Sequence, residues 1–173
     1  NFAFHMAWHL ALYRLARGEI TEVLRLYDEE VRPSTTDDFR DIANAVSLLW
    51  RLERRGCAVG ERWDELHALA RHRADDATLV FASLHHLLTC LARRDHAGAA
   101  RIVASMERLA AAGASDQARV AAQVGAPLAD ALRGLALDTA YVPDPQDNVF
   151  TRLLAKEYDV RVVPMAEAEV LVY

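Results

Sequence analysis

Lysine is almost missing from this chain. Lys156 is the single one among 20 lysines and arginines, which face 25 aspartates and glutamates and leave a formal net charge of -5. That balance excludes a general grip on nucleic acid, because phosphate backbones are held by clustered positive charge. The preference for arginine points to a GC-rich coding genome and a bacterial source. Cysteine is nearly as scarce: Cys57 and Cys90 are too few for a disulfide framework and lack the spacing of metal ligands, so both read as ordinary thiols. Apolar residues are interrupted every few positions, and no run approaches the ~20 residues a spanning helix needs. No membrane segment is therefore expected, and the chain reads as cytoplasmic. A Gly-rich phosphate loop, a serine nucleophile elbow and a Cys-His pair of recognisable spacing are also lacking. No signal peptide precedes Asn1, and helical material is already under way there, so the sequence is expected to be part of something longer.

What is present is helical periodicity. With 173 residues and 53% apolar content the chain can bury a core of its own. Phe4, Trp8, Ala11, Leu12 and Leu15 recur at three- and four-residue spacing along one side of a helix that Gly18 ends. Ile20, Val23, Leu24, Tyr27 and Val31 repeat the pattern until Pro33. So short a turn forces the two helices antiparallel. A second pair follows, with Phe39, Ile42, Val46, Leu49 and Trp50 in its first helix and Trp63, Leu66 and Leu69 in the next; Thr35 and Thr36 are the expected N-caps and Gly56 the stop. Val80, Leu84, Leu87, Leu88 and Leu91, then Ala99, Ile102, Val103, Met106 and Leu109, make a third, ended by Gly113. Ser115 and Asp116 open a fourth unit, in which Pro127 predicts a kink or a break.

Hairpins at about 3–32, 38–73, 78–112 and 116–137, spaced by ~35 to 40 residues, mean an internal repeat. The fold class expected is all-α: a right-handed superhelical array of antiparallel helix pairs over 1–137. Residues 138–173 read as an extension of loop, short helix over 148–157 and an irregular or β-like tail.

The first hairpin resembles the tetratricopeptide consensus, with Leu10, Ala11, Gly18, Glu19, Ile20, Val23, Leu24 and Tyr27 in the expected places; the third, with Asp95, His96, Ala99 and Ala100 at its turn, is looser. At a finer level NFAFHMAWHLAL at 1–12, SerLeuLeuTrpArgLeu at 47–52 followed by Gly56, ValGlyGluArgTrp at 59–63 and ValGlyAlaProLeu at 124–128 resemble the tetratricopeptide repeat protein 38 family, in order and spacing, over about residues 1–135. Members are larger, and the resemblance implies that this is the C-terminal half of such a protein. It also implies upstream repeats carrying a further HxxxH pair. After Gly134 this chain departs from the family's continuing repeats.

Chemistry has few candidate carriers. His5 and His9 share a helix face, with Tyr13 one turn further on. Two imidazoles at that spacing can hold zinc or another divalent metal, although the Glu used by metalloprotease helices is missing. A histidine pair hydrogen-bonded inside a helix contact is the simpler reading of the same spacing. One of the adjacent His85 and His86, taken as His86, is expected to join them at an inner surface, while His67, His72 and His96 read as solvated. Arg62 beside Trp63 is a candidate for a groove that recognises a carboxylate, though tryptophans on apolar stripes default to packing. Two functions follow. One is a repeat scaffold that binds a protein or peptide, with no cofactor; the other is an enzyme or binder of a small molecule or metal at His5 and His9, completed by upstream repeats.

Overall fold

A computed structural model describes residues 2–113 and 115–137, the last three as backbone only. Every regular element among them is helical. The extension expected over 138–173, with its short helix and β-like tail, lies outside the described residues. The chain divides into two compact units, 1–129 and 130–173; the first carries every candidate site residue discussed below.

The opening helix α1 (Phe2–Ala16) buries Ala7, Ala11 and Leu15, a four-residue ladder whose alanines let neighbouring backbones come close. Gly18, at φ 76°, turns the chain, and the amides of Gly18 and Glu19 close the helix end on the carbonyls of Leu15 and Arg14. Helix α2 (Ile20–Leu26) runs into a π-turn over Tyr27–Val31, closed by the Arg32 amide on the Tyr27 carbonyl at 2.8 Å. Val23, Leu26, Tyr27 and Val31 all face inward along this stretch.

Helix α3 (Phe39–Arg54) is capped by Asp38, whose side chain accepts the Arg40 amide at 2.9 Å. Thr35 and Thr36, the expected caps, stand outside that role. Thr36 instead donates to Asp41 at 3.0 Å and accepts from the buried Arg32, which forks onto both oxygens of Glu65 at 2.9 and 3.0 Å. A single 3₁₀ turn, Gly60–Arg62, leads into α4 (Trp63–His72). Helices α5 (Val80–Ala92) and α6 (His96–Ala112) follow, the second capped by Asp95 at its start and by Gly113, at φ 65°, at its end.

From Asp116 to Leu137 no residue leaves helical conformation: α7 (Asp116–Val120), a π-turn over Ala121–Gly125 and α8 (Ala126–Leu137) run on directly. The turn that an antiparallel pair at 116–137 requires is therefore absent. The disturbance expected from Pro127 takes the form of that π-turn, which accommodates a residue unable to donate a ladder bond.

Each of α1 and α5 packs on the short helix beside it in the chain, and α1, α3 and α5 also touch one another in succession. Three hydrogen bonds fix how α1 and α3 meet. His5 pairs with Asn44, Trp8 with Ser47 and the Leu15 carbonyl with Arg55, a sequence offset of 39, 39 and 40. A constant offset over three turns means parallel helices in register. The core between them is built from Leu15, Leu26, Leu48, Leu49, Leu52, Trp63 and Leu66. No helix among the described residues is long and apolar enough to cross a membrane.

Candidate functional site

Parallel packing in register carries a consequence for the helix starts. Phe2 and Phe39 are the first residues of α1 and α3, and Phe81 is the second of α5, so stacking the helices brings the three rings to one edge of the row. All three are exposed, at 78%, 42% and 49%. Phe39 and Phe81 meet edge to face with centroids 6.4 Å apart, and Phe81 lies 4.5 Å from the His85 ring. Phe2 and Phe81 line a common cavity of about 370 Å³ with His5, Arg40, Ala43 and Asn44. Exposed aromatics concentrated in this way are costly in water and are the usual anchors of recognition surfaces.

The polar wall of the cavity comes from α1 and α3. His5 Nδ1 meets Asn44 Oδ1 at 3.1 Å, and His5 Nε2 meets His9 Nε2 at the same distance, the two rings edge to face. Trp8 stacks on His5 and donates to Ser47 at 2.8 Å. With Nδ1–H given to Asn44, His5 keeps its Nε2 lone pair for His9, so His9 donates. Asn44 itself is buried, and its Nδ2 has no hydrogen-bond partner. Beside this group, Arg51 donates to the Ser47 carbonyl at 2.9 Å, and burial lowers its pKa from the ordinary value.

The other sequence candidates lie elsewhere. Tyr13 is exposed and its contacts are with Arg17, whose guanidinium sits 5.7 Å over the ring. His85 occupies the position given to His86: its Nδ1 holds the Phe81 carbonyl at 2.8 Å on the same edge as the cavity. His86 points the other way and is buried, lining a second cavity with Asp37, Asp38, Phe39, Arg73 and Asp76. Burial first, then the charges of His85 and Arg73, push its imidazole down to about 4. Residues adjacent on a helix diverge by ~100°, and the burial of Leu87 and Cys90 on the inner side decides which histidine turns in. Trp63 is fully buried core and offers no groove surface. Arg62 is neutralised by Asp28 at 2.8 and 2.6 Å and packs on Tyr27, so it is not a free receptor for a carboxylate. His72 and His96 are exposed as expected, whereas His67 is half-buried and bonded to Asp95 at 2.8 Å.

The phenylalanines were the missed residues. Phe39 reads as part of a core stripe, and Phe81 matches no motif. A signal existed nonetheless: each sits in the first turn of one of three repeat-spaced helices, where an apolar residue has no neighbouring turn to pack under. No family model and no solved structure matches the chain.

Proposed function

We propose that the chain is a helical-repeat scaffold, a right-handed tetratricopeptide-like array of the tetratricopeptide repeat protein 38 kind. In this reading it binds an extended peptide, or an extended segment of a protein, across the first turns of α1, α3 and α5. The observation that carries the reading is the edge of exposed Phe2, Phe39 and Phe81, of which Phe2 and Phe81 line one cavity and Phe39 stands edge to face against Phe81. Apolar side chains of the peptide occupy the space between the rings. Flanking Arg40 is held by Asp38, so the site selects for shape and apolar character more than for charge.

The test is a selection from a displayed library of random peptides, followed by affinity measurement on variants. Phe39→Ala and Phe81→Ala, both at exposed positions, are expected to weaken the selected peptides by about tenfold or more each, as truncated aromatic anchors do, with an unchanged melting temperature. No enriched peptide, or equal binding by the variants, overturns the reading.

A second reading has one specific observation behind it. The Nε2 atoms of His5 and His9 converge at 3.1 Å while Asn44 orients His5 from behind, the pattern of a metal ligand with its supporting partner. Two nitrogens make half a site, and the remainder would come from residues outside this group. Elemental analysis of purified protein, with His9→Ala alongside, decides it: stoichiometric metal lost in the variant supports it, and its absence from the unsubstituted protein sinks it.

A further inference from the structure

We propose that His67, Cys90 and Asp95 form a site for a borderline-soft divalent cation of the zinc type, tying α4 to α5 and to the start of α6. The three side chains come from three different elements, and one ligand atom of each lies within 4.8 Å of the other two. They supply one nitrogen, one sulfur and one oxygen, the donor set that zinc takes at protein sites.

The local geometry aims each donor at a common point. Asp95 divides its two oxygens: Oδ1 accepts the Gly98 amide at 2.8 Å and so caps α6, while Oδ2 faces His67 Nε2 at 2.8 Å. The helix cap thus fixes the carboxylate's orientation without using the oxygen that would bind. Position 98 is a glycine at a place where only glycine leaves room, since a Cβ there would stand 2.7 Å from Asp95 Oδ2 and 3.0 Å from Cys90 Sγ. Bonds of ~2.0 Å to nitrogen and ~2.3 Å to sulfur at a tetrahedral angle set those ligands ~3.5 Å apart. The His67–Asp95 pair, at 2.8 Å, therefore opens by about half an ångström and the wider separations, 4.8 Å at most, close by up to about 1.3 Å, within reach of side-chain rotation. Cys90 is buried, whereas His67 is a quarter exposed, so water reaches the fourth position from the His67 side. Arg71, 3.8 Å from Asp95, gives the carboxylate a cationic neighbour and lies outside the donor set.

Binding is balanced as one exchange. The Cys90 thiol releases its proton to solvent and the thiolate takes the metal; His67 gives up its Nε2 proton to solvent and regains one at Nδ1, so that the Nε2 lone pair and Asp95 Oδ2 exchange their hydrogen bond for two bonds to the ion. Burial pushes the Cys90 thiol up to about 12 when no cation is present, which makes affinity rise with pH. The site is separate from the His5 and His9 face, which contains no sulfur.

The test uses Co²⁺ as the probe, titrated into full-length chain freed of metal with a chelator. One equivalent is expected to raise a near-ultraviolet sulfur-to-cobalt charge-transfer band and the visible bands of a tetrahedral ion, both displaced by Zn²⁺. Cys57→Ser keeps the band and Cys90→Ser loses it. His67→Ala, at a half-exposed position that does not endanger folding, weakens binding by more than about tenfold, the lower bound set by what outer-shell partners alone are worth. A titration without a charge-transfer band, a band that follows Cys57, or one indifferent to His67→Ala overturns the proposal.

Discussion

Burial keeps the His86 imidazole neutral down to about pH 4, and that has a measurable consequence. An unfolded chain protonates histidine near ~6.5. The folded state binds its proton only at lower pH, so the stability His86 contributes is whole above ~6.5 and is lost as pH falls toward 4. At ~1.4 kcal/mol per unit the loss reaches up to about 3 kcal/mol. His85, lowered mainly by its burial, adds to the same slope. Urea midpoints measured between pH 7 and 4 are expected to fall, and to fall less steeply in His86→Gln. An equal slope in that variant would show that the group sits in water. Neighbouring histidines in a sequence carry no label for inside and outside. Their partners, the Phe81 carbonyl for one and the second cavity for the other, come from the fold.

At the scale of elements, the sequence pattern is informative where spacing decides and silent where contacts do. Helices α1 and α3 to α6 fall where their apolar stripes place them, because a stripe of Leu, Val and Ile has one way to be buried. Gly18, Gly56 and Gly113 adopt the left-handed conformation that ends a helix. The π-turns at 27–31 and 121–125 were not legible, since the buried positions through both keep the three- and four-residue spacing of an ordinary helix. The α3 cap was misplaced for a related reason. Thr35, Thr36, Asp37 and Asp38 can all cap in principle, and the Arg32–Glu65 pair takes Thr36 for itself. Asp38→Ala is expected to cost about 1 kcal/mol, the usual worth of a cap. Thr35→Ala is expected to cost much less; thermal denaturation of the two variants compares them, and the reverse order would return the cap to the threonines.

For the whole molecule, the row α1, α3, α5 matters more than any one hairpin. Helices repeated along the chain and packed parallel put equivalent positions side by side, so a residue type repeated at the helix starts becomes a surface. Phe2, Phe39 and Phe81 are such a set, one in the first turn of each helix, with Phe39 edge to face against Phe81 and Phe2 lining one cavity with Phe81. His5, from the histidine face that stands out in the sequence, supplies part of the cavity wall, and Phe2 and Phe81, which do not stand out, supply its aromatic lining. Recognition by an apolar edge with few charges also agrees with the net charge of -5 and with the many arginines neutralised by nearby carboxylates. Backbone amide chemical shifts, followed while a display-selected peptide is titrated into isotope-labelled protein, locate its binding surface residue by residue. Perturbations concentrated in the first two turns of α1, α3 and α5 are the expected result. Perturbations concentrated on α2, α4 and α6, with the phenylalanine edge unmoved, would contradict it.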